Sequence, residues 1–129
     1  MARTNQGIFK KIRNEYDELY NCYTSISNRY FPNGIWNCNY DFVTDFAFSA
    51  DYIYRDAKAL STKIDTMLTC TKFEMERNTH EFMEMSKKCK EIEQDIKYKF
   101  DDILGQILYG GYLSESEEET LNSMTIYRC

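Results

Sequence analysis

Phe9-Lys10-Lys11-Ile12-Arg13-Asn14-Glu15-Tyr16-Asp17-Glu18-Leu19-Tyr20-Asn21-Cys22-Tyr23-Thr24-Ser25-Ile26-Ser27-Asn28-Arg29-Tyr30 reads as one amphipathic helix. Its apolar and aromatic residues Phe9, Ile12, Tyr16, Leu19, Tyr23, Ile26 and Tyr30 recur at intervals of 3, 4, 3, 4, 3 and 4. A helix turns once every ~3.6 residues, so this spacing lines all of them along one stripe, where a strand would scatter them over both faces. The residues between are almost all polar, including Lys10, Lys11, Arg13, Asn14, Glu15, Asp17 and Glu18. Such a narrow stripe has to be covered by a facing helix.

The chain's single proline, Pro32, falls in Phe31-Pro32-Asn33-Gly34-Ile35-Trp36-Asn37, where helix breakers cluster and a hinge is expected. Beyond it, Asn39 or Asp41 is suited to capping a second helix. From Asp41 to Leu104 there is neither glycine nor proline. Phe46, Ala50, Ile53, Ala57, Leu60 and Ile64 repeat at heptad spacing, and Phe82, Met85, Cys89, Ile92 and Ile96 form a second run in a different register. The one-residue slip falls between Thr66 and Phe73, beside Thr66, Thr69 and Thr71, whose β-branched side chains weaken helices, so a kink or break is expected there. Gly110 and Gly111 supply a helix stop. The expectation is an all-α fold, a helical hairpin plus a long third helix with coiled-coil-like packing. Residues 1–113 form a single helical domain with helices over about 6–30, 41–70 and 74–109, followed by an acidic flexible tail over 114–129.

The totals narrow the function classes. The chain has 129 residues, enough for one domain, and 43% of them are hydrophobic, including 11 Tyr and 8 Phe, too many for a disordered chain. Tyrosine-rich seams suit half-exposed interfaces better than a dry interior. A net charge of −5 repels nucleic-acid phosphate, so no direct nucleic-acid binding is expected. There is no apolar run of transmembrane length and no secretory leader pattern, so no membrane role and an intracellular setting are expected. The five cysteines, Cys22, Cys38, Cys70, Cys89 and Cys129, are odd in number and lack a Cys-x-x-Cys pair, which suits reduced thiols.

Little in the chain points to catalysis. The lone histidine, His80, sits in the polar run Glu76-Arg77-Asn78-Thr79-His80-Glu81 and reads as solvent-facing. Its spacing from Cys70 and Cys89 is unlike the short ligand pairs of structural zinc sites. The glycines form no nucleotide-binding loop. No enzyme, cofactor or metal is expected. Ser114 and Ser116 each have a glutamate three residues downstream, Glu117 and Glu119, the pattern of an acidic-directed kinase site.

The remaining signal is for protein partners. A third helix over 74–109 would be about 54 Å long at ~1.5 Å per residue, more than a two-helix hairpin covers. Phe82, Met85, Ile92, Ile96 and Ile103 are therefore expected to meet a partner, each side chain worth roughly 1.5–3 kcal/mol on burial. A non-enzymatic adaptor or scaffold subunit is the leading expectation. A coiled-coil subunit of a kinetochore or vesicle-tethering complex, or a small helical viral or host-antagonist effector, are the alternatives.

Three stretches bear a family resemblance: Ile12-Arg13-Asn14-Glu15-Tyr16-Asp17-Glu18-Leu19, Ala50-Asp51-Tyr52-Ile53-Tyr54 and Ile64-Asp65-Thr66-Met67-Leu68-Thr69-Cys70. Over roughly residues 10–85 the chain resembles the N-terminal helical region of the non-SMC kleisin subunits of the SMC-type complex that acts in chromosome maintenance and DNA repair. The resemblance implies a helical domain docked on the coiled-coil neck of an SMC ATPase, with nearby segments gripping a MAGE-type winged-helix subunit in the nucleus. Carried onto this chain, the docking face comprises Ile53, Ala57, Leu60, Ile64 and Leu68. Asp65 is followed by Thr66 where that family has Ala or Ser. The resemblance implies a shortened relative that engages one partner rather than bridging two.

Overall fold

A computed structural model describes residues 2–69, 79–111 and 113–128. The fold is all-α, and no strand occurs among the described residues. Helix α1 spans Ala2–Tyr30, α2 Val43–Thr69 and α3 Thr79–Gly110, with two short helices, α4 (Glu115–Asn122) and α5 (Thr125–Arg128), closing the chain. The kink expected between Thr66 and Phe73 falls largely on residues 70–78, outside the described residues.

Helix α1 ends at the proline hinge. Gly34 donates its N–H to the Phe31 carbonyl at 3.0 Å, closing a turn, and Asn37 reaches back to Tyr30 at 2.9 Å. Gly34 has φ +76°, a conformation that costs a residue with a side chain about 1–2 kcal/mol. Asn39 then accepts the Asp41 N–H through its side chain and caps a single 3₁₀ turn, Tyr40–Phe42, that leads into α2. The turn returns α2 antiparallel to α1: Tyr30 meets Phe46 near one end, and Glu15 meets Lys63 near the other. Helix α3 runs parallel to α1, since Phe9 packs on Phe82 and Tyr23 bonds to Asp95.

Helix α2 sits at the centre because it carries two seams rather than one. Phe46, Ala50, Ile53, Ala57, Leu60 and Ile64 are buried, and so are Val43, Ala47, Tyr54 and Ser61. The second set joins Ala50, Ala57 and Ile64 at the same three-and-four spacing, displaced by one helix position. Ile53 borders α1 beside Ile26, while Val43 and Ala47 border Phe100 and Ile103 of α3. The small side chains of Ala47, Ala50 and Ala57 are fully buried and let neighbouring helices come close.

At the hinge end, Tyr30, Phe31, Trp36 and Phe46 form an aromatic cluster. Trp36 stacks nearly parallel on Tyr30, with centroids 5.5 Å apart, and meets Phe31 and Phe46 edge-on. The cluster replaces the breaker segment's missing helix with ring packing.

Where the sequence predicts a mobile acidic tail, the chain is helical and docked. Ser114 caps α4 through a capping box with Glu117, a signature that the acidic run masked. Leu121, Met124 and Ile126 are buried against the helices. Gly111, at φ +69°, turns the chain out of α3 toward them.

Phe46→Ala should lower unfolding free energy by about 3–5 kcal/mol, since a fully buried ring leaves a cavity bounded by three other aromatic rings. Urea denaturation followed by the single tryptophan, Trp36, measures it. A loss under ~1 kcal/mol would contradict the cluster's role.

Candidate functional site

The residues expected to meet a partner lie inside the chain's own core. Ile53, Ala57, Leu60, Ile64, Phe82, Met85, Ile92, Ile96 and Ile103 are all buried within a single cluster, and Leu68 packs partly buried against it. Intramolecular cover for α3 is long enough. Helix α2 has 27 residues and α3 has 32, so α3 overhangs by only about 8 Å at ~1.5 Å per residue, and α4 and α5 cover its far end. Val43, Phe46, Phe100, Ile103, Ile107 and Leu121 close around a void too small for water.

The helices are also tied by polar contacts at the core's margin. Tyr23 donates its hydroxyl hydrogen to Asp95, whose carboxylate also takes Lys99 Nζ at 2.6 Å. Lys99 further donates to Ser27 Oγ at 3.3 Å and lies 5.4 Å from the Tyr23 ring centroid and 5.7 Å from that of Phe31. Its charge is thus partnered by a carboxylate on α3, a hydroxyl and a ring on α1, and the Phe31 ring of the hinge. On the α2–α3 side, Asp65 accepts from Ser86 at 2.6 Å and from Lys90 at 2.9 Å. Those donors pull the Asp65 carboxyl below the usual range, while burial beside Glu15 and Glu18 pushes Asp56 above it.

His80 is exposed and Cys89 is buried, and Cys70 lies outside the described residues. Burial, reinforced by Asp56, Asp65 and Glu93, pushes the Cys89 thiol up to about 12, so it stays protonated and unreactive at neutral pH. Among the described residues no group of three or more His, Cys, Asp or Glu is placed to hold a metal ion. No described helix is long and apolar enough to cross a membrane. Ser114 and Ser116 are exposed, and the Ser114 hydroxyl is engaged with Glu117 at 3.0 Å.

Among the open grooves is one between α1 and α2, of about 540 Å³, lined by Asn21, Cys22, Ser25, Ile26, Phe48, Ser49, Tyr52 and Ile53. None of these side chains is charged, in a chain that is 29% charged. Phe48 and Tyr52 stand at its edge, 55% and 58% exposed, one helical turn apart. Tyr20, 46% exposed, lies one residue before the groove's α1 wall. A signal for this surface was present in Phe46-Ala47-Phe48. Two residues apart on a helix means about 200° apart, so if Phe46 enters the core, Phe48 has to face away from it.

The chain matches no protein-family model, no curated protein and no solved structure.

Stability should fall at alkaline pH. Burial, with Cys89, Tyr20, Asp17 and Glu91 nearby, pushes the Tyr16 phenol up to about 12, and burial together with Asp95 raises Tyr23 further. Each group, like Cys89, is held neutral in the folded state. Its contribution is therefore complete below the unfolded values of 9.0 for the thiol and 10.0 for the phenols, and is lost as pH rises toward about 12. Circular dichroism should show the helical signal flat to about pH 9 and falling between about 10 and 12. Full helicity retained above pH 12 would contradict this.

Proposed function

We propose that this protein is a non-enzymatic helical adaptor or scaffold subunit that receives an amphipathic helix of a protein partner in the groove between α1 and α2. The observation that carries the reading is the pair Phe48 and Tyr52, both more than half exposed, beside a lining without charge. Large aromatic side chains left in water on a rigid wall are the residue type that dominates helix-in-groove recognition. Small serine, asparagine and cysteine side chains along the lining leave room for the partner's larger apolar side chains. An uncharged lining favours an apolar partner face and rejects a charged one, because a buried unpaired charge is costly.

The sharper version of this proposal, resting on the sequence resemblance, is a shortened kleisin-like component of a nuclear SMC-type complex in chromosome maintenance and DNA repair. Its partners would be an SMC neck and a MAGE-type subunit. Of the face that the resemblance would dock, Ile53, Ala57, Leu60 and Ile64 are covered within the chain and Leu68 is partly covered, so docking through the outward α1–α2 groove is the form proposed. Ser114 and Ser116 are proposed phosphate acceptors: both residues are exposed at the start of α4, ahead of Glu117 and Glu119, and modification of Ser114 would have to break its capping bonds to Glu117.

Co-expression with SMC-neck and MAGE-type subunits should give a complex that survives gel filtration. Phe48→Glu with Tyr52→Glu should weaken it at least about 30-fold, the equivalent of ~2 kcal/mol for an aromatic anchor. Failure to co-elute with either subunit removes the kleisin version. A photo-crosslinking residue at position 52 tests the broader reading: cross-links in cells should fall on helical segments of a partner and vanish with Phe48→Glu, and cross-links indifferent to that substitution would overturn it. Intact-mass measurement of the native protein should show phosphate at Ser114 or Ser116, and unmodified mass alone would end that assignment.

A further inference from the structure

The C-terminal elements are held unlike the rest of the fold. Helices α1, α2 and α3 meet along long seams, whereas α4 and α5 are anchored by the buried side chains of Leu121, Met124 and Ile126, with Tyr127 edge-on to Phe100. Beside them are contacts aimed at main chain. Asp51 Oδ1 accepts the Ile126 N–H at 2.9 Å, and Lys97 Nζ donates to the Ile126 carbonyl oxygen at 2.6 Å. A nearly buried carboxylate and a mostly buried ammonium on two different helices thus grip both polar groups of one residue. Arg55 and Asp101 hold those two side chains in turn, at 3.3 and 2.8 Å. This arrangement is a receptor that reads a short segment of pattern Leu-x-x-Met-x-Ile through three side chains and through the N–H and C=O of one residue, which belong to two adjacent peptide units.

The connection between receptor and segment is short and built on glycine. Gly111 holds φ +69°, with nothing within 4 Å of where a side chain would begin, and Ser114 starts the next helix. Rotating a glycine from positive to negative φ carries no steric penalty, so Gly111 can redirect the segment once Leu113 and the buried side chains of α4 and α5 let go.

We propose that the α2–α3 face bearing Asp51 and Lys97 is a self-association site, filled here by residues 115–128 of the same chain and filled in a dimer by those residues from a second copy. The occupant follows from the structure: the one segment seen to fit the receptor is the chain's own, and a second copy presents it identically. The exchange creates and loses the same contacts, so concentration and the Gly111 hinge set the balance. The surface is separate from the α1–α2 groove, and neither proposal needs the other.

Two complementary variants test it. Ile126→Glu spoils the segment and leaves the receptor; Asp51→Lys spoils the receptor and leaves the segment. Alone, each should sediment as a monomer, and mixed they should form a 1:1 dimer. Two monomers in the mixture, with both variants helical by circular dichroism, would overturn the proposal. If either variant fails to fold, hydrogen exchange on the unaltered chain decides. Amides of residues 115–128 should then exchange at least tenfold faster than those of 53–64, reporting release of the segment from an intact bundle. Equal protection would overturn the proposal, because a segment freed only by global unfolding cannot be offered to a neighbour.

Discussion

Helix α2 cannot be stable alone or with one neighbour. Its buried residues occupy two adjacent seams that share Ala50, Ala57 and Ile64, and covering only one would leave the other in water. At about 25 cal/mol per Å² of apolar surface, an uncovered seam of Phe, Ile and Leu is a penalty of several kcal/mol, comparable to the whole stability of a small domain. The three-helix arrangement follows from that requirement. The Pro32 hinge folds α1 back along one seam, and α3 lies along the other. Because the overhanging end of α3 and the first turns of α2 are still apolar, the C-terminal segment is drawn in as well.

This makes clear what the sequence disclosed and what it hid. The heptads of α1 and α2, the hinge and the glycine stop were legible because each is a local property of spacing or of backbone freedom. The second seam of α2 was not, since Tyr54 and Ser61 interrupt it with polar atoms and make it look like a solvated face. Without that seam α3 seemed to lack intramolecular cover, and Phe82, Met85, Ile92, Ile96 and Ile103 looked free for a partner. The acidic run Glu117-Glu118-Glu119 concealed α4 in a similar way. Its glutamates are helix-start residues, favoured by the helix dipole and used in the capping box, but by composition alone they resemble a disordered tail.

Once the strong apolar seams are closed within the chain, the apolar surface left outside is of another kind. Phe48, Tyr52 and Tyr20 lie outward on walls made rigid by the core behind them. A tyrosine keeps its hydroxyl hydrated while offering a ring face, so such a surface is tolerable in water and still productive on contact. The absence of charge from the α1–α2 groove sets it apart from the other open grooves, whose linings carry residues such as Lys90, Arg13 and Lys63. The polar ties of Lys99 and Asp65 add register: they select which turn of α3 faces which turn of α1 and α2, a role that nonspecific apolar burial cannot fill.

The most direct measurement of the central claim is methyl NOE spectroscopy on isoleucine-labelled protein at dilute concentration, in a mixture with unlabelled chains. If α2 closes both of its seams inside one molecule, contacts linking the isoleucines of α1, α2 and α3 will arise within labelled chains and persist on dilution. Contacts that appear only between labelled and unlabelled chains, and fade as the sample is diluted, would show that α2 depends on another molecule for its cover.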